Sequence, residues 1–301
     1  MKHKISRFLH KKLPTAILFT FLLLVCLIFL IPTIFTFTNS FMSSSEIAAN
    51  YGQIFQSVTG SSGDIYVSET VNLKLIPDRV SFSQYASVLL KNPGYLIKFW
   101  NSCILVLPIV IFQILVALLA SYGFARYKGK ARNALFFAYI IIMLMPYQVT
   151  LVPNRLVADW LSIYDTRWAI ILPGIFSPFA VFLLTKYMRR IPSSLIESAK
   201  LDGAGELKIF ARICAPMASG ISISVAILIF IDYWNMVEQP LILLTDPEVQ
   251  PLSVFLSKIN EGDAGLAFAI ATIYMCIPIA IFLYCEDYLI EGVSYQGGIK
   301  G

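Results

Sequence analysis

Residues 17–31 read Ile17-Leu18-Phe19-Thr20-Phe21-Leu22-Leu23-Leu24-Val25-Cys26-Leu27-Ile28-Phe29-Leu30-Ile31, and thirteen of them are Leu, Ile, Phe or Val. At roughly −0.3 to −0.6 kcal/mol each on the insertion scale, these side chains suffice to hold a helix in a bilayer. The stretch lies in a run free of Asp, Glu, Lys and Arg from 13 to 45. Five more apolar runs of this kind follow, at 99–125, 133–154, 168–185, 213–231 and 264–285. Each reaches or approaches the ~20 residues that a helix needs to cross ~30 Å of hydrocarbon. A further uncharged run at 47–63 is rich in Gly, Ser, Asn and Gln and fails the same test.

Composition agrees. Of 301 residues 57% are hydrophobic and only 14% charged, against about 25% charged in a soluble domain, and the mean hydropathy is +0.74. The expected fold is an all-α membrane protein with six transmembrane helices. The fourth span holds Pro173 and Pro178, and the fifth holds Ser219, Gly220, Ser222 and Ser224. Helices broken or thinned in this way need protein neighbours, which places them inside a bundle. The basic start Lys2, Lys4, Arg7, Lys11 and Lys12 resembles that of a signal peptide, but the apolar run outlasts the usual ~7–15-residue core, so it reads as an uncleaved anchor.

Orientation follows from the basic residues. One side of the six spans collects sixteen Lys and Arg, in the N-terminal tail, 126–132, 186–212 and the C-terminal tail, and the other side collects seven. By the positive-inside rule both termini are cytoplasmic. The net charge of +5 then reflects topology and gives no reason to expect nucleic acid. The expected organisation is a cytoplasmic tail and first span over 1–38, an extracytoplasmic loop or small cap over 39–95, a five-helix core over 96–285 containing a cytoplasmic loop 186–216, and a C-terminal tail over 286–301.

The five cysteines, Cys26, Cys103, Cys214, Cys276 and Cys285, sit in or beside apolar runs without metal-ligand spacing, and the only histidines are His3 and His10. Neither a disulfide framework nor a metal site is expected. The segment 39–95 is either a partly ordered cap, with Val67 to Leu75 as a strand or short helix, or a flexible linker. A second external segment, Glu238 to Asp263, is acidic. The nearest approach to a phosphate loop, Gly123 to Gly129-Lys130, is one residue too long and continues with Ala131 where Ser or Thr would hold magnesium.

The segment 186–216 is longer than a connection requires. Ser194 and Glu197 stand three apart after Pro192, the pattern of a capping box that opens a helix. Asp202-Gly203 ends that helix, and Asp202 is placed to cap the next, in which Leu207, Phe210, Ala211 and Cys214 recur at helical spacing up to Pro216. Two short helices meeting at a glycine turn form an exposed peg. Ala199, Gly203, Ala204 and Gly205 are small enough to let another protein approach closely.

This segment, Glu197-Ser198-Ala199-Lys200-Leu201-Asp202-Gly203-Ala204 followed by Phe210, Ile213 and Pro216, resembles the EAA loop of ABC-importer permeases of the carbohydrate-uptake type, with Ser198 where the family usually has Ala. Trp100-Asn101-Ser102, Ser121-Tyr122-Gly123-Phe124-Ala125-Arg126-Tyr127, Leu144-Met145-Pro146, Trp234-Asn235, Pro240-Leu241-Ile242 and the ending Gly297-Gly298-Ile299-Lys300-Gly301 extend the likeness over roughly residues 80–301. The resemblance implies a complex of two permease subunits, two cytoplasmic ATPase subunits that bind the ATP and magnesium, and an extracellular solute-binding protein. This chain would be the smaller, six-span permease of the pair, with the type I importer permease fold, in the cell membrane of a prokaryote and in contact with membrane lipid, without a cofactor or catalytic residues of its own. It implies ATPase docking through Ser194, Glu197, Ser198, Ala199, Asp202, Gly203, Ala204 and Phe210, with Glu197 in a charge-assisted contact. It also implies that the C-terminal tail reaches between the ATPase subunits.

Candidates for the substrate pathway are Asn101, Asp232, Tyr233, Trp234 and Asn235. Asp232 ends the fifth span, where a carboxylate costs less than the about 2.5–3.5 kcal/mol it costs at mid-helix. Tyr233 and Trp234 offer faces for a sugar and Asn235 an amide for hydroxyls, although Met236 stands where the family usually continues with an acid. The expected solute is an oligosaccharide or glycoside. The alternatives are a permease of the same type for a non-sugar solute, an ion-coupled carrier, which would carry ionisable groups within its spans and paired repeats, and a membrane enzyme, which would gather His, Asp or Glu at one face.

Overall fold

The computed structural model describes residues 2–43, 45–47, 49–50, 74–258 and 264–294, and among them the regular structure is helical throughout. The expected strand or helix at 67–75 lies almost entirely outside the described residues, as do Ile259 to Asp263 of the acidic segment and residues 295–301 of the tail. The chain divides into two units, 1–93 with 259–273 and 94–258 with 274–301.

The first unit is built on α1 (Lys2–Asn39). From Thr15 to Asn39 this helix has a mean hydropathy of 2.9, and none of its most apolar stretch is buried in the chain. A helix apolar on every side requires hydrocarbon as its solvent. At its end Met42 and Ile47 are buried against Phe35 and Phe268. Here the Phe41 carbonyl accepts from Ser81 N at 2.8 Å, and the Ser40 and Tyr85 hydroxyls pair at 2.6 Å. Tyr85 belongs to α2 (Ser83–Ala86), which runs into a π turn, Ser87–Lys91. Glu46 receives the Asp78 amide at 2.7 Å and Lys74 at 3.3 Å, which ties 74–82 to the end of α1.

The second unit is organised along α3 (Pro93–Arg126), the longest helix in it. Leu105 and Ile109 of α3 enter one core cluster, Ala117 a second and Tyr122 a third. Around α3 lie α4 (Lys130–Met143), α5 (Tyr147–Trp160), α6 (Trp168–Gly174) and α7 (Pro178–Met188). They are followed by α8 (Ser193–Leu201), α9 (Glu206–Ile209) continuing through a π turn over Phe210–Cys214, α10 (Ser219–Trp234), α11 (Glu238–Leu243) and α12 (Leu252–Ser257). The last helix, α13 (Ala264–Ser294), contributes its second half.

Among the described residues four helical stretches are long and apolar enough to cross a membrane, Thr15–Asn39, Pro93–Arg126, Trp168–Met188 and Leu266–Tyr288, and the count reaches six if each of two bent pairs is one span. The run 133–154, expected to be one straight crossing, is one of these pairs. The chain bends by 104° between α4 and α5 because Pro146, extended at φ −60° and ψ 137°, cannot continue the helix. The fourteen residues of α4 rise roughly 21 Å, short of the full hydrocarbon thickness. The second pair bends by 72° where α10 begins.

Between α6 and α7 the helix breaks at 175–177, and Ser177 caps α7 by accepting from Ala180 N at 3.2 Å. Gly174, the last residue of α6, lies so close to α3 that a Cβ there would meet the Ile109 side chain at 3.0–3.1 Å. Asp165, in the left-handed region at φ 59°, pins the loop after α11 by accepting from Thr245 N at 2.6 Å and Asp246 N at 3.3 Å. Hydrogen bonding from Thr245 holds its carboxyl below the usual carboxylate range.

Gly174→Val should overpack the α3–α6 contact at a cost of about 1–3 kcal/mol. Its apparent melting temperature in detergent should fall by several degrees, whereas Gly123→Ala, with nothing near the added Cβ, should melt no earlier than wild type. Equal melting of all three proteins would refute the close approach.

Candidate functional site: a helical peg and a polar cavity

The peg of residues 186–216 is present, though built differently from the expected capping scheme. The first helix starts at Ser193 with extended Pro192 as its N-cap, and no side chain caps it. Proline presets the backbone entering the first turn, so Ser194 and Glu197 lie within the helix and point outward, and the capping box does not form. Asp202 is the C-cap of α8, and Gly205, again without a side-chain cap, opens α9. The expected capping of the second helix by Asp202 is therefore replaced by a glycine turn. Gly203 takes φ +79°, and the amides of Gly203 and Ala204 return to the carbonyls of Lys200 (3.0 Å) and Ala199 (2.9 Å). Glycine adopts this left-handed backbone without a Cβ clash.

Ile196 and Ile209 are buried with Ile191, Met188, Cys214 and Tyr122, so the peg has its own small core continuous with α3. Ala199, Ala204 and Phe210 pack against that core, Phe210 with its ring 5.3 Å from that of Tyr122. Ser194, Glu197, Ser198, Asp202 and Gly203 are exposed. The structure thus gathers all eight expected docking residues on one segment but divides them between an outer face and an inner one.

Two features were not legible in the pattern. Leu207, one of the residues recurring at helical spacing, is 79% exposed and Leu201 89% exposed, so the turn is flanked by bare apolar side chains. Ile209 lies on the inner face and Leu207 on the outer one, and a π turn at 210–214 follows them. The second feature is a latch. The Tyr122 hydroxyl donates to Glu206 Oε2 at 2.5 Å, and Lys200 Nζ lies 2.5 Å from Glu206 Oε1. One carboxylate therefore joins α3, α8 and α9, while the Tyr187 hydroxyl on α7 donates to the Met217 carbonyl at 2.7 Å.

The five pathway candidates separate. Asn101 is 2% exposed. Its amide donates to the carbonyls of Glu248 (2.6 Å) and Gln250 (3.2 Å), and its Oδ1 accepts from Arg167 at 2.7 Å. That makes it a brace between α3 and the 248–250 loop. Trp234, 1% exposed, stacks with Phe230 and Tyr274 at ring separations of 5.2 and 5.0 Å and donates to the Tyr274 carbonyl at 3.3 Å. It has no free face for a sugar. Asn235 turns back on the Ile231 carbonyl at 2.9 Å. Asp232 and Tyr233 do line open space, a cavity of about 430 Å³ shared with Tyr147, Asn154, Pro173 and Ser177. A neighbouring recess of about 300 Å³ adds Gln113. The lone amide of Gln113 in the middle of apolar α3 was the signal for it in the sequence.

Tyr122→Phe should loosen the peg, since a hydrogen bond to a charged group is worth about 1.5–3 kcal/mol, while Lys200→Met, breaking a half-exposed pair, should cost about 0–1 kcal/mol. Hydrogen exchange of the 193–209 amides should quicken at least several-fold in Tyr122→Phe and little in Lys200→Met. Equal exchange in Tyr122→Phe and wild type would mean that the latch holds nothing.

Comparison with known proteins agrees with this architecture. Residues 113–291 match the family model described as "Binding-protein-dependent transport system inner membrane component". The chain is 34% identical over 239 residues to the arabinooligosaccharides transport system permease protein AraQ of Bacillus subtilis, covering 77% of this chain and 83% of that one. It is 32% identical over 235 residues to the glucose import system permease protein GlcU of Saccharolobus solfataricus, covering 74% and 80%. In fold it is similar to a chain of a bacterial ABC transporter involved in the import of the acidic polysaccharide alginate, with a TM-score of 0.75 and 21% identity over 92% of this chain and 96% of that one. With the family model matching more than half of its length, the chain belongs to the inner membrane components of binding-protein-dependent transport systems and is a multi-pass membrane protein.

Proposed function

We propose that this chain is one of two permease subunits of an ABC importer for a sugar, in particular an oligosaccharide or glycoside delivered by an extracellular binding protein. Separate ATPase subunits bind the ATP and magnesium, and this chain is not catalytic. The relatives named for arabinooligosaccharide and glucose import support the substrate class. Each bent pair counts as one crossing, giving six, with both termini cytoplasmic as the excess of Lys and Arg on one side requires. In this reading 1–38 is the tail and first span, 39–95 the extracytoplasmic loop or cap, 96–285 the permease core and 286–301 the cytoplasmic tail.

The observation that carries the reading is the peg, in a chain of this family. Its turn is exposed, its base is tied to α3 through Tyr122 and to α7 through Tyr187, and bare Leu201 and Leu207 flank small Gly203 and Gly205. A partner cleft that receives Leu201, Gly203 and Leu207, with Glu197, Ser194, Ser198 and Asp202 at its rim, buries apolar surface that is otherwise left in water. Closure of the ATPase pair then moves the peg and, through its two tyrosine ties, α3 and α7, as a rigid-body displacement.

Gly203 supplies the test. An alanine at φ +79° meets a strain of about 1–2 kcal/mol and an aspartate no more than that, and a Cβ there has nothing within 4 Å. Gly203→Ala and Gly203→Asp should therefore fold and insert alike, and only Gly203→Asp should lose ATPase co-purification or solute-stimulated ATP hydrolysis, by tenfold or more. Normal transport by Gly203→Asp would remove the docking assignment.

A further inference from the structure

The cavity beside α6 and α7 has a hydrogen-bonding character of its own. Gln113 is 2% exposed, lines the recess, and its Oε1 has no hydrogen-bond partner among the described residues. Burying a polar atom in this way is costly unless something supplies the missing hydrogen. Asp232, on the same recess, presents a carboxylate, which accepts only. Among the residues lining the recess and the larger cavity there is no Lys, Arg or His. Phe176, Phe179 and Tyr233 line both spaces and supply apolar faces. The wall between them is the break between α6 and α7, where the Ser177 hydroxyl already serves the helix end. An interrupted helix of this kind is where a membrane protein brings backbone and solute together.

We infer that this cavity is a solute site of the chain itself, selective for neutral polyhydroxylated solutes over acidic ones, in which Gln113 Oε1 and the Asp232 carboxylate accept hydrogen bonds from hydroxyl groups while Phe176, Phe179 and Tyr233 meet the C–H face of a sugar ring. Two fixed acceptors demand a ligand rich in donors. A carboxylate with no cation beside it repels a second carboxylate, so a uronic-acid sugar, ionised at neutral pH, is turned away where its neutral counterpart is received. This rests on the reading of the chain as a sugar permease, and it places part of the specificity in this subunit rather than wholly in the binding protein or the partner permease.

Direct binding to the assembled complex separates the site from the binding protein, which would filter solutes first. Saturation-transfer difference NMR is run on the complex in detergent, without binding protein, using a neutral trisaccharide and a uronic-acid trisaccharide of equal length. Wild type should give ring-proton signals from the neutral sugar at least fivefold above those from the acidic one. Gln113→Leu, close in volume and free of the orphan acceptor, should reduce the neutral signal at least fivefold; Gln113→Met replaces it if the leucine variant fails to co-purify with its partners. Asp232→Asn should narrow the preference to less than twofold by admitting the acidic sugar. A neutral signal unchanged in the Gln113 variant, or equal binding of the two sugars to wild type, overturns the inference. The sugar-import reading fails by a different result, the absence of uptake of neutral glycosides by wild-type proteoliposomes supplied with the loaded binding protein.

Discussion

In hydrocarbon no water is available to a backbone amide or carbonyl, so each must be bonded within the chain. Everything distinctive in this protein follows from where that requirement is met by a continuous helix and where it is not. α1 and α3 meet it as continuous helices except where Pro14, Pro32 and Pro108 withhold an amide, and the most apolar stretch of α1 is not buried. The breaks after α4 and after α6 free backbone groups that neighbouring elements must shelter or satisfy. Ser177 caps the start of α7, and the loop after α11 is held by Asp165, Asn101 and Gln250. The cavity lies along these breaks, where polar side chains such as Gln113 and Asp232 have a reason to be inside a membrane protein at all.

The same economy governs the peg. A two-helix loop in water needs a core and anchors to move as one body, and its core is small: Ile196, Ile209, Cys214 and the ring of Tyr122. The Glu206 carboxylate supplies what the apolar contacts lack, direction, by fixing the start of α9 to the end of α3 on one side and to Lys200 on the other. The apolar side chains that this arrangement leaves outside, Leu201 and Leu207, are those a partner would cover. The inner face is structural, and the outer face is left open. Ile209 lies on the inner face and Leu207 on the outer one.

The membrane class, the number of apolar runs, the basic asymmetry and the existence of the peg were legible in the order of residues, because hydrophobic length and charge act locally and need no knowledge of neighbours. The family likeness rested on short strings such as Glu197 to Ala204 that are equally local. What the linear pattern could not decide was which face of each helix looks where. Trp234 and Asn101 have the chemistry of ligand contacts, yet tertiary packing buries the first among Phe230, Tyr274 and Phe99 and commits the second to backbone carbonyls some 150 positions away. Gln113 stands out only as an amide inside an apolar helix and Glu206 not at all, and both become important because other elements come to lie beside them. A side chain's composition is a property of the sequence, but its partners are set by long-range contacts between helices, and those appear only when the chain is folded.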